Sequence, residues 1–158
     1  LKMINELTGL YTLQAFLVLS QHFLKLSNRT NRGLLFFIIG LSNPKIHGDK
    51  LSSTEFANYL IDVANILKST FRRSDIIAQI DTTEFFVLAL ESSKEGATII
   101  SDRLRKNSDE YFVKKGSPSM LSLDIASAYY NPESPCSIVE LLLRARKSIG
   151  GNNVVKGQ

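Results

Sequence analysis

The sequence predicts an α+β fold, an α/β sandwich whose helices flank a central mixed, largely antiparallel sheet. Four segments carry helix signals and four carry strand-type apolar runs, in the order α, β, α, β, β, α, β, α. Residues 34–39 are continuously apolar, which is typical of a strand covered on both faces and predicts a central place in the sheet. Residues 76–80 and 85–90 flank a short polar turn, which predicts a β-hairpin, and residues 120–126 alternate as a last strand.

The helices are predicted from spacing and from their N-terminal caps. Residues 11–27 repeat apolar side chains at helical spacing before a polar turn. The other three helices each follow a Ser-x-x-Glu sequence that resembles a capping box, in which both side chains bond free amides at the helix start. These sequences begin at Ser52, Ser92 and Ser137, and the first of the three helices is expected to end near Phe71.

Size and composition fit one domain. The chain has 158 residues, of which 44% are hydrophobic, enough for one sizeable core over residues 1–150. The glycine-rich, polar residues 151–158 predict a flexible C-terminal tail. The opening Leu1-Lys2-Met3 has neither an initiator position nor the order of a signal peptide, so we expect a segment of a longer protein.

Charge and cysteine content exclude several classes of function. The net charge of +4 is spread among acidic residues without a basic stripe, so no nucleic-acid partner is expected. No apolar run reaches the ~18 residues of a membrane span, so direct membrane insertion is not expected. A single cysteine, Cys136, and two distant histidines predict neither an internal disulfide nor a Cys/His metal site, which fits a reducing cytoplasm.

The turn of the predicted hairpin carries the most specific signal in the chain. Residues 81–85 read D-T-T-E-F, and in this frame the hairpin resembles the signature of the GGDEF domain of bacterial diguanylate cyclases, which condense two GTP into cyclic dimeric GMP. Only the last two letters of the signature are retained. The resemblance implies a nucleotide-cyclase-like fold, and it extends over almost the whole chain through N-E-L-T-G-L at 5–10, Phe16, residues 97–105, S-L-D-I-A at 122–126 and E-L-L-L-R-A-R-K at 140–147.

The resemblance also implies that the metal site has been lost. In the family, two carboxylates hold Mg²⁺ on GTP, and their positions here carry Gly40 and Thr83. Hard Mg²⁺ requires oxygen ligands with enough negative charge, which a glycine and a neutral hydroxyl do not supply. Glu84 alone cannot rebuild the site. No Mg²⁺ cofactor is therefore expected.

Nucleotide contacts have been replaced as well. The family's two guanine-reading residues fall on Gly48 and Ala57, which offer no hydrogen bond to a base, and Ser42 replaces another family residue. Asp81 adds negative charge where the family's turn cradles phosphate, and β-branched Thr82 resists the positive φ that a glycine adopts there. The chain is therefore predicted not to be an enzyme. Without the resemblance the turn is simply a polar β-turn, and that interpretation also predicts no catalysis.

A second site of the family is retained in outline. Active members often carry an inhibitory site for cyclic dimeric GMP, an R-x-x-D sequence ending five residues before the signature; Arg72 and Asp75 have that spacing, and Arg103 matches a further arginine from the next helix. A guanidinium can donate two parallel bonds to guanine, and a carboxylate can accept from its N1–H and amine. Arg73 is a candidate auxiliary.

Two functions remain open at this point. The first is an inactive regulatory module that is a receptor for cyclic dimeric GMP through Arg72, Asp75 and Arg103. The alternative is a ligand-free dimerisation or interaction module, a candidate homodimer, that transmits a signal from an upstream sensory or receiver domain through its first helix. In that case Arg72 and Asp75 form only a surface ion pair, and Arg103 is a solvated helix residue.

The remaining candidates have structural interpretations. Asp62 and Asp102 are expected to be solvated helix acids, and the pair Tyr129-Tyr130 is a candidate surface contact. Four phenylalanines are expected in the core rather than in a stacking platform. They are Phe36, Phe37, Phe85 and Phe86.

Overall fold

The order of secondary-structure elements is the predicted one, with two short strands added. A computed structural model describes residues 2–42, 45–46, 49–50, 52–116 and 122–156. The helices are α1 Leu13–Thr30, α2 Ser53–Thr70, α3 Gly96–Lys115 and α4 Ile138–Lys156. The strands are β1 Leu34–Leu41, β2 Lys45–Ile46, β3 Asp49–Lys50, β4 Ile76–Gln79, β5 Glu84–Ala89 and β6 Leu123–Tyr130.

Four strands form one antiparallel sheet in the order β4-β5-β1-β6, while β2 and β3 pair with each other. The central position predicted for β1 is confirmed. The mixed character that the sequence predicted is reduced to one parallel bridge at the edge, where the N-terminal segment meets β4 through Tyr11 and Ala78. The fold is therefore α+β with an antiparallel sheet.

Helices cover both faces of the sheet, which explains why β1 is apolar without interruption. One core lies between the sheet and the pair α2 and α3, and the other lies between the sheet and the pair α1 and α4. Successive side chains along β1 enter the two cores in turn: Leu34, Phe36 and Ile38 on the α1–α4 side, and Leu35, Phe37 and Ile39 on the α2–α3 side. The four predicted core phenylalanines are all buried.

The predicted caps have different outcomes. The box at Ser52 is complete, because Ser52 Oγ accepts from the amide of Glu55 at 3.2 Å and the Glu55 carboxylate accepts from the amide of Ser52 at 3.1 Å. At Ser137 the hydroxyl accepts from the Glu140 amide at 3.1 Å. The box at Ser92 is wrong: its hydroxyl donates to carbonyls at the end of β5, and α3 begins later, at Gly96.

Two boundaries near the C-terminus differ from the prediction. The last strand runs over Leu123–Tyr130 instead of residues 120–126, so Tyr130 is a core residue and not a surface contact. Its hydroxyl donates to Asn28 Oδ1 at 2.6 Å, which satisfies the polar tip of a buried ring. The last helix continues past Gly150 to Lys156, where the sequence predicted a loose tail.

Asp62 is not the solvated acid that the sequence predicted. It is buried on α2 and accepts hydrogen bonds from the Tyr111 hydroxyl at 2.8 Å and from Lys115 Nζ at 2.7 Å. The hydrogen bond to Asp62 raises the pKa of Lys115 above its ordinary value. The cluster ties α2 to the last turns of α3. None of the helices in the described ranges is long and apolar enough to cross a membrane.

Candidate functional site

The hairpin turn between β4 and β5 satisfies its own polar groups. Asp81 Oδ1 accepts from the backbone amide of Thr83 at 2.8 Å and from its hydroxyl at 3.2 Å, which is an Asx-type turn. Among the described non-glycine residues, only Asn31 and Glu91 have positive φ, so Thr82 does not adopt the left-handed geometry of a glycine. One carboxylate oxygen of Asp81 is therefore already engaged within the turn, which makes it less available to a ligand.

Gly40 is the position to which the resemblance assigns the first metal carboxylate. Gly40 lies on β1 between Glu84 on β5 and Asp124 on β6 and brings no side chain to the site. Ser42 is engaged beyond the strand end, where its hydroxyl donates to the Ser122 carbonyl at 3.1 Å. The described residues contain no group of three or more histidine, cysteine or acidic side chains that could hold a metal ion.

Of the two predicted guanine-reading positions, the structure describes one. Ala57 lies on the first turns of α2 and carries only a methyl group. Gly48 lies outside the described residues. The structure brings Gly40, Asp81, Thr82, Thr83 and Glu84 to one end of the sheet.

Glu84, the retained acid of the signature, forms an ion pair with Arg146. Arg146 on α4 donates from both terminal nitrogens to the Glu84 carboxylate, at 2.7 and 2.6 Å, which is the bidentate geometry of a strong charge-assisted pair. The hydrogen bond to Glu84 raises the pKa of Arg146 above its ordinary value. The guanidinium also lies 5.9 Å from the centre of the Phe86 ring. We call this pair the Glu84–Arg146 clamp.

The R-x-x-D sequence forms a tight turn before β4. The Asp75 carboxylate accepts from the amide of Arg72 at 2.9 Å and from the amide of Leu90, at the end of β5, at 3.0 Å. Its side chain is only 3% exposed, whereas that of Arg72 is 57% exposed. Arg72 Nη2 donates to the Leu90 carbonyl and lies 3.5 Å from Asp75 Oδ1. Asp75 therefore has a structural role that the sequence did not reveal.

An open groove brings the three predicted ligand residues together. It has a volume of about 310 Å³, and its lining includes Arg72, Asp75 and Arg103, with Ile99 and Glu91 beside them. We call it the R-x-x-D groove. Ile99, one turn before Arg103 on α3, is 59% exposed. An apolar side chain beside two guanidinium groups suits a planar polar base.

Arg73 is not part of this groove. It lines a neighbouring depression with Lys68 and Tyr11, and this depression shares Arg72 and Asp75 with the groove. Lys68 is itself engaged, because its Nζ donates to the Thr8 carbonyl at 2.9 Å. The auxiliary role of Arg73 therefore stays a prediction, for a position beside the groove and not in its lining.

Comparison with known families identifies the fold. A family model described as "Diguanylate cyclase, GGDEF domain" matches residues 3–150. The chain belongs to the GGDEF domain family. Among curated proteins, this GGDEF domain is 27% identical over 154 residues to the cyclic di-GMP phosphodiesterase NbdA of Pseudomonas aeruginosa, a match that covers 94% of this chain and 20% of NbdA. The chain thus spans about a fifth of that relative's length.

Solved GGDEF domains share the same architecture. The FimX GGDEF domain of Pseudomonas aeruginosa aligns with a TM-score of 0.76 and 18% identity, covering 96% of this chain and 93% of that chain. The GGDEF domain of DgcB from Caulobacter crescentus, solved in complex with c-di-GMP, aligns with a TM-score of 0.75 and 13% identity, covering 98% and 89% of the two chains. Structural similarity at this level of sequence identity establishes the fold and carries no statement about activity.

Sequence reasoning missed two features of this GGDEF domain. The family resemblance at residues 140–147 implies an aspartate at the position of Arg146, and that reversal of charge was the available signal for a new partner. The structural role of Asp75 had a weaker signal, the short polar turn before a strand, in which an aspartate commonly caps backbone amides.

Proposed function

We propose that this GGDEF domain is a catalytically inactive regulatory module that binds cyclic dimeric GMP in the R-x-x-D groove. The observation that carries the proposal is the contrast between the two sites. The residues that the family resemblance assigns to metal, base and phosphate are replaced, while Arg72, Asp75 and Arg103 line one groove.

The clamp supports inactivity independently of the missing carboxylates. Glu84 retains the glutamate of the signature, and Arg146 donates one hydrogen bond to each of its carboxylate oxygens. A divalent cation would have to displace a bidentate guanidinium, and it would find no carboxylate at Gly40 or Thr83, the positions of the family's two metal ligands.

The domain is expected to convert no GTP with either Mg²⁺ or Mn²⁺. Arg146→Ala is expected to be equally inactive, because releasing Glu84 does not restore the carboxylates missing at Gly40 and Thr83. Chromatographic detection of product after prolonged incubation, against a no-protein control, measures this. Product formed by the wild-type domain would overturn the proposed inactivity, and product formed only by Arg146→Ala would mean that the clamp alone silences the site.

The groove supports a guanine ligand through its side-chain types and its exposure. Arg72 and Arg103 are exposed and can donate in parallel pairs to O6 and N7 of guanine, or to phosphate. Asp75 is already engaged by two amides, so it contributes mainly by fixing the turn that presents Arg72. A volume of about 310 Å³ is at the low end of the ~300–1,000 Å³ of ligand pockets, so the groove would hold one base with its neighbouring phosphate.

Arg103→Ala is expected to weaken binding of cyclic dimeric GMP roughly 5- to 150-fold, which corresponds to the ~1–3 kcal/mol of a bidentate contact to guanine. Isothermal titration calorimetry on the purified domain measures it. Lys106→Ala is the matched control, because Lys106 is an exposed cation on the same helix that does not line the groove. Arg72→Lys, which keeps the charge but loses the fork, is expected to weaken binding as well.

Two outcomes would contradict the receptor proposal. One is the absence of saturable heat with wild-type protein, which would leave the ligand-free interaction module as the function. The other is an equal loss of binding in Lys106→Ala, which would show attraction to general positive charge and not a site.

The proposal also includes an upstream sensory or receiver domain in the same polypeptide and a cytoplasmic location, where the free Cys136 stays reduced.

A further inference from the structure

A second cavity lies on the other side of Arg72, between the C-terminal end of α1 and the turn before β4. Its volume is about 220 Å³. We call it the α1-end pocket; its lining includes Phe23, Leu26, Leu34, Arg72, Ser74 and Leu90. We propose that this pocket binds a small amphiphilic carboxylate, a molecule with a hydrocarbon body and one carboxylate head.

The size of the pocket limits the ligand. A volume of about 220 Å³ corresponds to roughly seven water molecules at ~30 Å³ each and falls below the ~300–1,000 Å³ of sites for drug-sized molecules. A nucleotide or a peptide helix is too large. A short hydrocarbon chain fits.

The floor of the pocket is apolar and partly open to water. Leu34 is buried, Phe23 and Leu90 are half-buried, and Leu26 on α1 is 39% exposed. Covering these side chains with a hydrocarbon chain removes apolar surface from water on both partners, which is favourable. This part of the pocket recognises the body of the ligand.

Arg72 supplies the charge for the head group. Two further charged residues line the pocket, Arg32 and Glu91, and they neutralise each other in an ion pair of 3.0 Å. The carboxylate of Asp75, which is 3% exposed, does not line the pocket. Arg72 pairs with Asp75 at 3.5 Å behind the pocket wall, so its guanidinium is the one cation of this lining that has no acid partner within the lining, and it favours a monoanion.

Donors remain available at that rim. Arg72 bonds the Leu90 carbonyl through Nη2, and a guanidinium carries five N–H groups, so most of its donors have no hydrogen-bond acceptor within the described ranges. The hydroxyl of Ser74 is exposed two residues further on and likewise has no partner in the described part of the chain. Together they suit the two oxygens of a carboxylate.

The inference does not rest on the R-x-x-D groove as a dinucleotide site. The two cavities share Arg72 and Glu91, but Arg103 lines only the groove and Leu26 lines only the α1-end pocket. Variants at these two positions therefore report on the two sites separately.

Octanoate is the probe for the test, titrated into the 158-residue chain and followed by amide chemical shifts or calorimetry. Saturable binding is expected, at least tenfold weaker in Leu26→Glu and unchanged in Val18→Glu. Val18 lies on the same helix, is 62% exposed and does not line the pocket, so the control makes the same chemical change elsewhere. Ser74→Glu is a second variant at an exposed position. It is expected to weaken octanoate binding, because the introduced carboxylate lies beside Arg72 and repels the carboxylate of the ligand.

The neutral alcohol 1-octanol tests the head group and is expected to bind at least tenfold more weakly than octanoate. Binding of octanoate is expected to survive Arg103→Ala, so failure of the dinucleotide proposal would leave this result intact. The proposal is overturned if octanoate does not saturate, if Leu26→Glu and Val18→Glu bind it equally, or if octanol binds as tightly as octanoate.

Discussion

Asp75→Ala is expected to lower the free energy of unfolding by about 2–3 kcal/mol. The reason lies in the backbone and not in a ligand: the carboxylate is 3% exposed and accepts from the amides of Arg72 and Leu90. Alanine leaves these donors without an acceptor, and the amide of Leu90 is partly shielded from water. Urea denaturation followed by circular dichroism measures the loss.

Asp109→Ala is the control for this prediction. Asp109 is an exposed acid on α3, and its removal is expected to change stability by less than about 0.5 kcal/mol. If the two variants lose equal stability, the bonds of Asp75 to the two amides contribute nothing measurable and the turn is held by other contacts.

The structural role of Asp75 changes how binding experiments must be designed. If Asp75→Ala no longer bound cyclic dimeric GMP, the cause could be a missing contact to guanine or a loosened turn that no longer presents Arg72. Arg103 has no such double role, because it is exposed on α3 and makes no hydrogen bond or ion pair to another described residue. The decisive variant for the groove is therefore Arg103→Ala.

Local signals were sufficient to predict most of the fold. The apolar run of β1, the hairpin and the box at Ser52 all depend on residues close together in the chain, where spacing and side-chain type fix the geometry. The prediction of a capping box at Ser92 was wrong because the hydroxyl donates to carbonyls at the end of β5 instead of accepting from a helix amide. The Ser-x-x-Glu spacing does not show that these carbonyls are within reach.

Long-range pairs were beyond the reach of the sequence. Glu84 and Arg146 are 62 residues apart, and they meet only because α4 packs on the sheet, against β6 and β1. Asp62 likewise meets Lys115 across two helices, which converts an expected solvated acid into a buried partner. Family spacing named Arg72, Asp75 and Arg103 as one set, and the three residues line one groove, but the exposure of each side chain required the structure.

Phe16→Ala is expected to be the most destabilising of the substitutions considered, with a loss of about 3–5 kcal/mol. The ring is fully buried, and its centre lies 6.0 Å from that of Phe36 on β1 and 5.6 Å from that of Phe86 on β5. Truncation removes the transfer free energy of the ring, leaves a cavity, and breaks two aromatic contacts. A domain stable by ~5–15 kcal/mol would lose a large share of its stability.

Chemical denaturation of three variants separates burial from helix propensity. Val18→Ala changes an exposed residue on the same helix and is expected to be nearly neutral, while Phe16→Leu keeps much of the volume and is expected to lose less than Phe16→Ala. Phe86 also lies under the guanidinium of Arg146, so a cavity beside it removes support from the Glu84–Arg146 clamp. If Phe16→Ala lost no more stability than Val18→Ala, the aromatic cluster would not be what holds α1 on the sheet. The contacts of α1 with β4 and α4 would hold it instead.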